Sequence, residues 1–431
     1  MPKGDGLSIS PEDIEGVARV VVRLGDYAED LFSRHEFGFP RSILKGHIEQ
    51  VIDDLRSMRN SGSRVIAFRP TNNPPESLWR GRPATWDHGQ SLRFAAGATM
   101  LTQRWREQFS RENFRRAFVA KVLFESLAGV LDDVVDSERY SFIEAKDLYH
   151  HCFAATLDPG LDIGFFRREL GPLLKHDQLS FRDMIVNVTS AFNELFVESP
   201  HGPDLFDEMH RVNQRVVLGQ ALTMLQKETT LNLPTLRRIC SSFSAWDSDL
   251  AWHERLAADV SHVTNHSLID MCFLDESVSS GDLNATLRAW HYYDIVIVKL
   301  NNLVGILEDL GRGLCNLALI SMRENEVVDR ASLRDYNPGL TIPDYEAQLE
   351  RTAEIGRRGI LETSKTLGDP NLFFPFISVM IPVFLMADWI GSRDNFIHSY
   401  LRAIAPAIRE SAQGRRYAPA VAESPSPVRA A

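Results

Sequence analysis

Residues 113–136 read NFRRAFVAKVLFESLAGVLDDVVD, and the spacing of their apolar side chains decides the fold class. Phe118, Val122, Leu127, Val130, Leu131 and Val134 recur at the period of a helix rather than of a strand. The same periodicity runs through Val212 to Lys227, Leu283 to Ile320 and Tyr345 to Leu367. No alternating strand runs and no short repeats interrupt it. The chain is therefore expected to be all-α.

Proline, glycine, asparagine and serine break the pattern between Asn60 and Gln90, which reads as a long loop. Residues 1–90 are expected to form an N-terminal helical elaboration with that loop, and 91–417 the main domain. The stretches after Asp158 and around Asn337-Pro338-Gly339 read as turns. The closing segment 418–431, APAVAESPSPVRAA, reads as a disordered tail.

Composition narrows the function classes. Against 47 basic residues stand 58 acidic ones, a net charge of −11 that argues against a nucleic-acid partner. Cys152, Cys240, Cys272 and Cys315 are too scattered for a disulfide framework, which suits a reducing, cytoplasmic compartment. The N-terminus lacks an apolar signal core. Leu372 to Ala387, LFFPFISVMIPVFLMA, is shorter than the roughly 20 apolar residues a span needs. It also carries Pro375 and Pro382, so it reads as a core helix and no membrane span is expected.

Two acidic clusters carry the candidate chemistry. In DDVVD, Asp132 and Asp136 are four residues apart and project from one helix face, with Asp133 beside them. Clustered hard oxygens suit Mg²⁺, which keeps waters and shares its sphere with phosphates. The second cluster lies in NNLVGILEDLGRGLCNLALISMRENE, residues 301–326. On a helix, Asn301, Gly305, Glu308, Asp309 and Arg312 fall within a sector of roughly 100°. A glycine inside a helix costs about 1 kcal/mol against alanine, so Gly305 suggests close approach by another group. A solvated helix face is the alternative for either cluster.

Together these stretches resemble class I terpene synthases, the terpene cyclases. DDVVD is similar to that family's aspartate-rich DDxxD motif. Asn301, Leu303, Arg312-Gly313 and Asn316 match parts of its second metal motif, (N/D)D(L/I/V)x(S/T)xxxE, with its trailing residues. Arg255 stands at the family's spacing for a diphosphate-sensing arginine, and Arg402 lies in the region of its C-terminal arginine-tyrosine pair.

The resemblance implies a helical bundle around a deep cavity and a lyase that ionises, and cyclises, a farnesyl- or geranylgeranyl-class diphosphate. It implies three Mg²⁺ ions held by Asp132, Asp133, Asp136, Asn301 and Asp309, with water completing the sphere at Gly305. The diphosphate would meet Arg255, Arg312, Arg402 and, as a further C-terminal candidate, Arg416-Tyr417. A monomer or homodimer is expected.

The departures are specific. Asn302, Gly305 and Asp309 replace the usual Asp, Ser or Thr, and Glu; Glu308 stands where many members carry Lys. The carboxylate after the sensing arginine arrives one residue late, at Asp259, and Ala403 follows Arg402. A prenyl-coupling transferase of the same superfamily and a non-catalytic helical binding protein are the alternatives. His262 and His266, in HVTNH, have the i,i+4 spacing of a zinc pair. They lack the glutamate that follows the first histidine in metalloproteases, and no metal is assigned there. His150-His151 reads as a wet helix face. The aromatics Phe118, Phe124, Trp246, Trp252, Tyr292 and Trp389 read as core.

Overall fold

A computed structural model describes residues 102–137, 140–175, 179, 181–228, 233–242, 249–327, 333, 335–366 and 394–410, with scattered positions between 15 and 56. From residue 111 onward, twelve α-helices follow one another among the described residues: α1 (Arg111–Ser137), α2 (Phe142–Leu157), α3 (Ile163–Leu173), α4 (Arg182–Val197), α5 (Phe206–Glu228) and α6 (Leu233–Ser241). Then come α7 (Trp252–Val260), α8 (Val263–Phe273), α9 (Ser280–Arg312), α10 (Leu317–Val327), α11 (Ile342–Thr366) and α12 (Asp394–Glu410). Among the described residues there is no strand, as the periodicity predicts. The 60–90 loop, the Leu372–Ala387 segment, Trp246, Trp389 and the tail lie outside the described residues. No described helix is long and apolar enough to cross a membrane.

Local chemistry sets the helix ends. Ser141 accepts from the Glu144 N–H at 3.3 Å while the Glu144 carboxylate accepts from the Ser141 N–H at 2.7 Å, a capping box that starts α2. Asp162 caps α3 and Ser279 caps α9 in the same sense. The expected helix from Leu283 to Ile320 is in fact two. Gly313 sits at φ 75°, the left-handed conformation that ends helices, and α9 stops there. Asn316 then opens α10, its Oδ1 accepting the Ala318 N–H at 2.7 Å.

The described residues form two apolar cores, with α1 at their junction. Leu123, Phe124, Leu127, Val130, Leu131 and Val134 pack with α2, α4 and α5 in one core. Phe118 and Val122 join α7, α9, α11 and α12 in the other, where Ala18 and Ile52 of the N-terminal region also bury. On the α1 helix wheel, Lys121, Glu125, Asp132 and Asp136 fall within about 60°, a polar stripe along one face of the helix. Against it runs α8, whose residues from Thr264 to Phe273 are all buried. Helices α5 and α7 cross so closely that a Cβ on Gly219 would run into the Asp259 carbonyl.

Candidate functional site: an acidic face and a glutamate–histidine cluster

The last turns of α1, the end of α5 and the C-terminal half of α9 bring the two acidic clusters into one electrostatic field. Lys227 Nζ lies 2.6 and 2.8 Å from the two carboxylate oxygens of Asp136. Desolvation pushes the Asp132 carboxyl up to about 6, with repulsion from Asp136 and Asp309 added and Lys227 and His262 opposing. Water nonetheless reaches Asp132. Asp132 thus keeps contact with solvent while its neighbours crowd it. Asp309 is also raised, first by desolvation, against the Asn316 hydrogen bond and Lys227. Burial opposes the charge on Lys227, but Asp136, Asp132 and Asp309 hold its pKa above the ordinary value. Tyr149 on α2 feels Asp132, Asp136 and Asp133, and its buried hydroxyl has no hydrogen-bond partner.

On α9 the second cluster is partly structural. Asn316 Nδ2 donates to Asp309 Oδ2 at 2.6 Å and to the Asn302 carbonyl at 2.8 Å. Asn302 Oδ1 accepts the Leu317 N–H at 3.1 Å. These bonds staple the start of α10 onto α9, which accounts for Asn302 where the resemblance leads to Asp. Asn301 is exposed. A Cβ on Gly305 would meet nothing nearer than Asp309 Oδ2, at 3.7 Å. Among the described residues no side chain or neighbouring element comes closer to this face of Gly305, which leaves a gap beside Asp309. Glu308 pairs with Arg312 at 2.6 Å on the exposed side of the helix.

The remaining arginines stand apart from this field in their described contacts. Arg255 on α7 donates to the carbonyls of Leu250 and Ser241, each at 3.2 Å, tying the end of α6 to the start of α7. Asp259 pairs with Arg215 at 2.8 Å. Arg402 is exposed on α12. Arg416 and Tyr417 lie outside the described residues.

Deeper along the α1 stripe is a cluster that the sequence only half disclosed. The Glu125 carboxylate meets Nε2 of His262, 3.1 Å from both oxygens, and Nε2 of His266. HVTNH thus gains from α1 the carboxylate it lacks locally. Among the described residues, these are the one group of three His, Cys, Asp or Glu side chains whose ligand atoms lie within 4.8 Å of one another. A polar trio and an ion pair also line the junction. Asp294 accepts from Ser261 Oγ at 2.7 Å and from Thr264 Oγ1, and burial pushes its carboxyl up to about 7. Lys121 pairs with Asp270, both wholly buried, and desolvation pushes Asp270 up to about 7. Glu125 carries no local signal; only its place on the α1 stripe with Asp132 marks it.

No family model and no curated protein matches this chain.

Proposed function

We propose that the chain is a divergent class I terpene synthase that ionises a linear prenyl diphosphate at the acidic face. The observation that carries the reading is the shared field of Asp132 and Asp136 from α1 with Asp309 from α9, two clusters far apart in sequence. Three carboxylates face one ammonium, Lys227, and one guanidinium, Arg312, already paired with Glu308. That residual negative charge and its hard oxygen donors fit Mg²⁺, held by Asp132, Asp136 and Asp309 with waters and phosphate oxygens. Bound Mg²⁺ would neutralise charge on the leaving diphosphate. In this scheme Lys227 swings from Asp136 to the diphosphate, Arg312 supplies a second cation, and the gap at Gly305 admits a water. In this scheme the apolar residues of α1 and α9 beside the carboxylates would shield the reactive allylic group from bulk water.

The test is incubation of the full chain with geranyl, farnesyl and geranylgeranyl diphosphate and Mg²⁺, reading diphosphate release and extractable hydrocarbons. Asp132→Ala should lower turnover by orders of magnitude with unchanged helical circular dichroism. A longer prenyl diphosphate among the products would indicate the coupling transferase instead. The Lys227–Asp136 pair favours a second reading, a helical binding protein whose acidic face is neutralised internally. Absence of Mg²⁺-dependent diphosphate release with every substrate would leave that reading standing and remove the first.

A further inference from the structure

The junction between the two cores holds a donor set of a different chemical kind from the acidic face. Glu125 projects from α1, His262 stands at the residue just before α8, and His266 follows one turn later on the same side of that helix. Their side chains are 8%, 26% and 2% exposed. Helix α8 is buried from Thr264 to Phe273, so His266 is held by packing rather than by solvent-facing flexibility. His262 alone is open enough to adjust.

Both imidazoles present Nε2 to the carboxylate, and all three ligand atoms lie within 4.8 Å of one another. Tetrahedral Zn²⁺ with bonds of about 2.0–2.1 Å requires ligand atoms about 3.3–3.4 Å apart. His262 Nε2 is already 3.1 Å from each Glu125 oxygen. Two imidazole nitrogens and one carboxylate match the preference of Zn²⁺ and its transition-metal neighbours, whereas Mg²⁺ favours all-oxygen sites.

We propose that Glu125, His262 and His266 form a site for one Zn²⁺-class ion, with its fourth position open to water on the side of His262. The site lies about 10 Å along α1 from Asp132, since seven residues separate Glu125 from Asp132 at about 1.5 Å each. His262 lies within the field of Asp132, but the three ligands include no carboxylate of the acidic face, so the site stands whether or not the chain is a terpene synthase. His266 Nδ1 is buried with no partner, so the outer shell that usually fixes a ligating histidine is incomplete. Such a loss weakens metal binding by about 10–100-fold, which makes this an exchangeable site rather than a permanently filled one.

The experiment uses the full chain, stripped with chelator and desalted. Zinc is added, and retained metal is measured by elemental analysis after gel filtration, with calorimetry for affinity. Cobalt substitution reports coordination through its visible absorption bands. The expected result is one equivalent of Zn²⁺ per chain, undisplaced by excess Mg²⁺, and cobalt bands of tetrahedral character. His262→Ala, on the partly exposed ligand, and the near-isosteric Glu125→Gln should each weaken binding at least tenfold, with circular dichroism unchanged. Asp132→Asn with Asp136→Asn should retain the full equivalent. No stoichiometric zinc in the parent would overturn the proposal and leave the three side chains as a hydrogen-bonded cluster. Unchanged affinity in both ligand variants, or zinc lost in the aspartate variant, would overturn it equally.

Discussion

Replacing Lys227 by Met keeps most of the buried stem and removes the ammonium that lies 2.6 and 2.8 Å from the oxygens of Asp136. The two side chains are 25% and 28% exposed, between a surface pair and a buried one. Charged hydrogen bonds of this kind contribute about 1.5–3 kcal/mol when sheltered, and exposed pairs under about 1. A value of about 1–2 kcal/mol follows for the metal-free protein. Lys227 also lowers the Asp132 pKa, so its removal should drive that carboxyl above its present value of about 6. Mg²⁺ entering at Asp132 and Asp136 must displace the ammonium in the parent but not in the variant. Lys227→Met should therefore bind Mg²⁺ about 5–30-fold more tightly, the factor equivalent to about 1–2 kcal/mol. It should also melt lower without the ion, and the deficit should shrink as Mg²⁺ is added. Calorimetric titration at pH 7.5 or above, where Asp132 is ionised in both proteins, and melting curves with and without Mg²⁺ give both readings. Equal or weaker Mg²⁺ affinity in the variant would show that the ammonium and the metal do not compete for these carboxylates.

Two other perturbations probe the frame around the site. Glu254 accepts from Arg351 Nε and Nη2, each at 2.9 Å, and from the Ala251 N–H at 3.0 Å. Desolvation works against its charge, but the Arg351 fork prevails and draws the carboxyl from 4.5 down to about 2. Lys299, 3.5 Å away, adds its charge to the Arg351 contact in holding the glutamate ionised, while desolvation lowers its own pKa. A depressed carboxylate stabilises above its unfolded pKa; about 3 kcal/mol should be present above pH 4.5 and disappear as pH falls toward 2. Glu254→Gln should thus melt well below the parent at pH 7, with the gap narrowing toward pH 3; a gap independent of pH would contradict the linkage. At Gly305, alanine has room, since its Cβ would meet Asp309 Oδ2 only at 3.7 Å. Gly305→Ala should raise stability by about 1 kcal/mol in a denaturant titration, and destabilisation would mean that the helix is strained there.

Local sequence reading succeeded where one element holds the whole signal. The period of α1 fixes its apolar faces, and the spacing of DDVVD puts Asp132 and Asp136 together, as the structure has them. It failed where partners come from different elements. Nothing near Lys227 announces Asp136, and Glu125 finds His262 only through the packing of α8 on α1. Arg255 matches a motif by its spacing, and in the structure its side chain donates to the carbonyls of Leu250 and Ser241. The break between α9 and α10 was legible in principle, because Arg312-Gly313 followed by Asn316 is a helix stop followed by a start. Apolar periodicity on both sides of Gly313 masked it.

The polar residues of α8 also act as a registration key. Asn265 donates to Asn213 at 2.7 Å, His266 meets Glu125, Asp270 meets Lys121 and Thr264 meets Asp294, so four neighbours on three helices read one short segment. A slip of one residue would turn α8 by about 100° and strand all four contacts in a dry interior. Each group left unpaired costs about 1–3 kcal/mol, more for the charged ones. An apolar helix in the same place could settle at several depths and rotations with little penalty. This one has a single setting, and that setting is what aligns the two halves of the chain along α1.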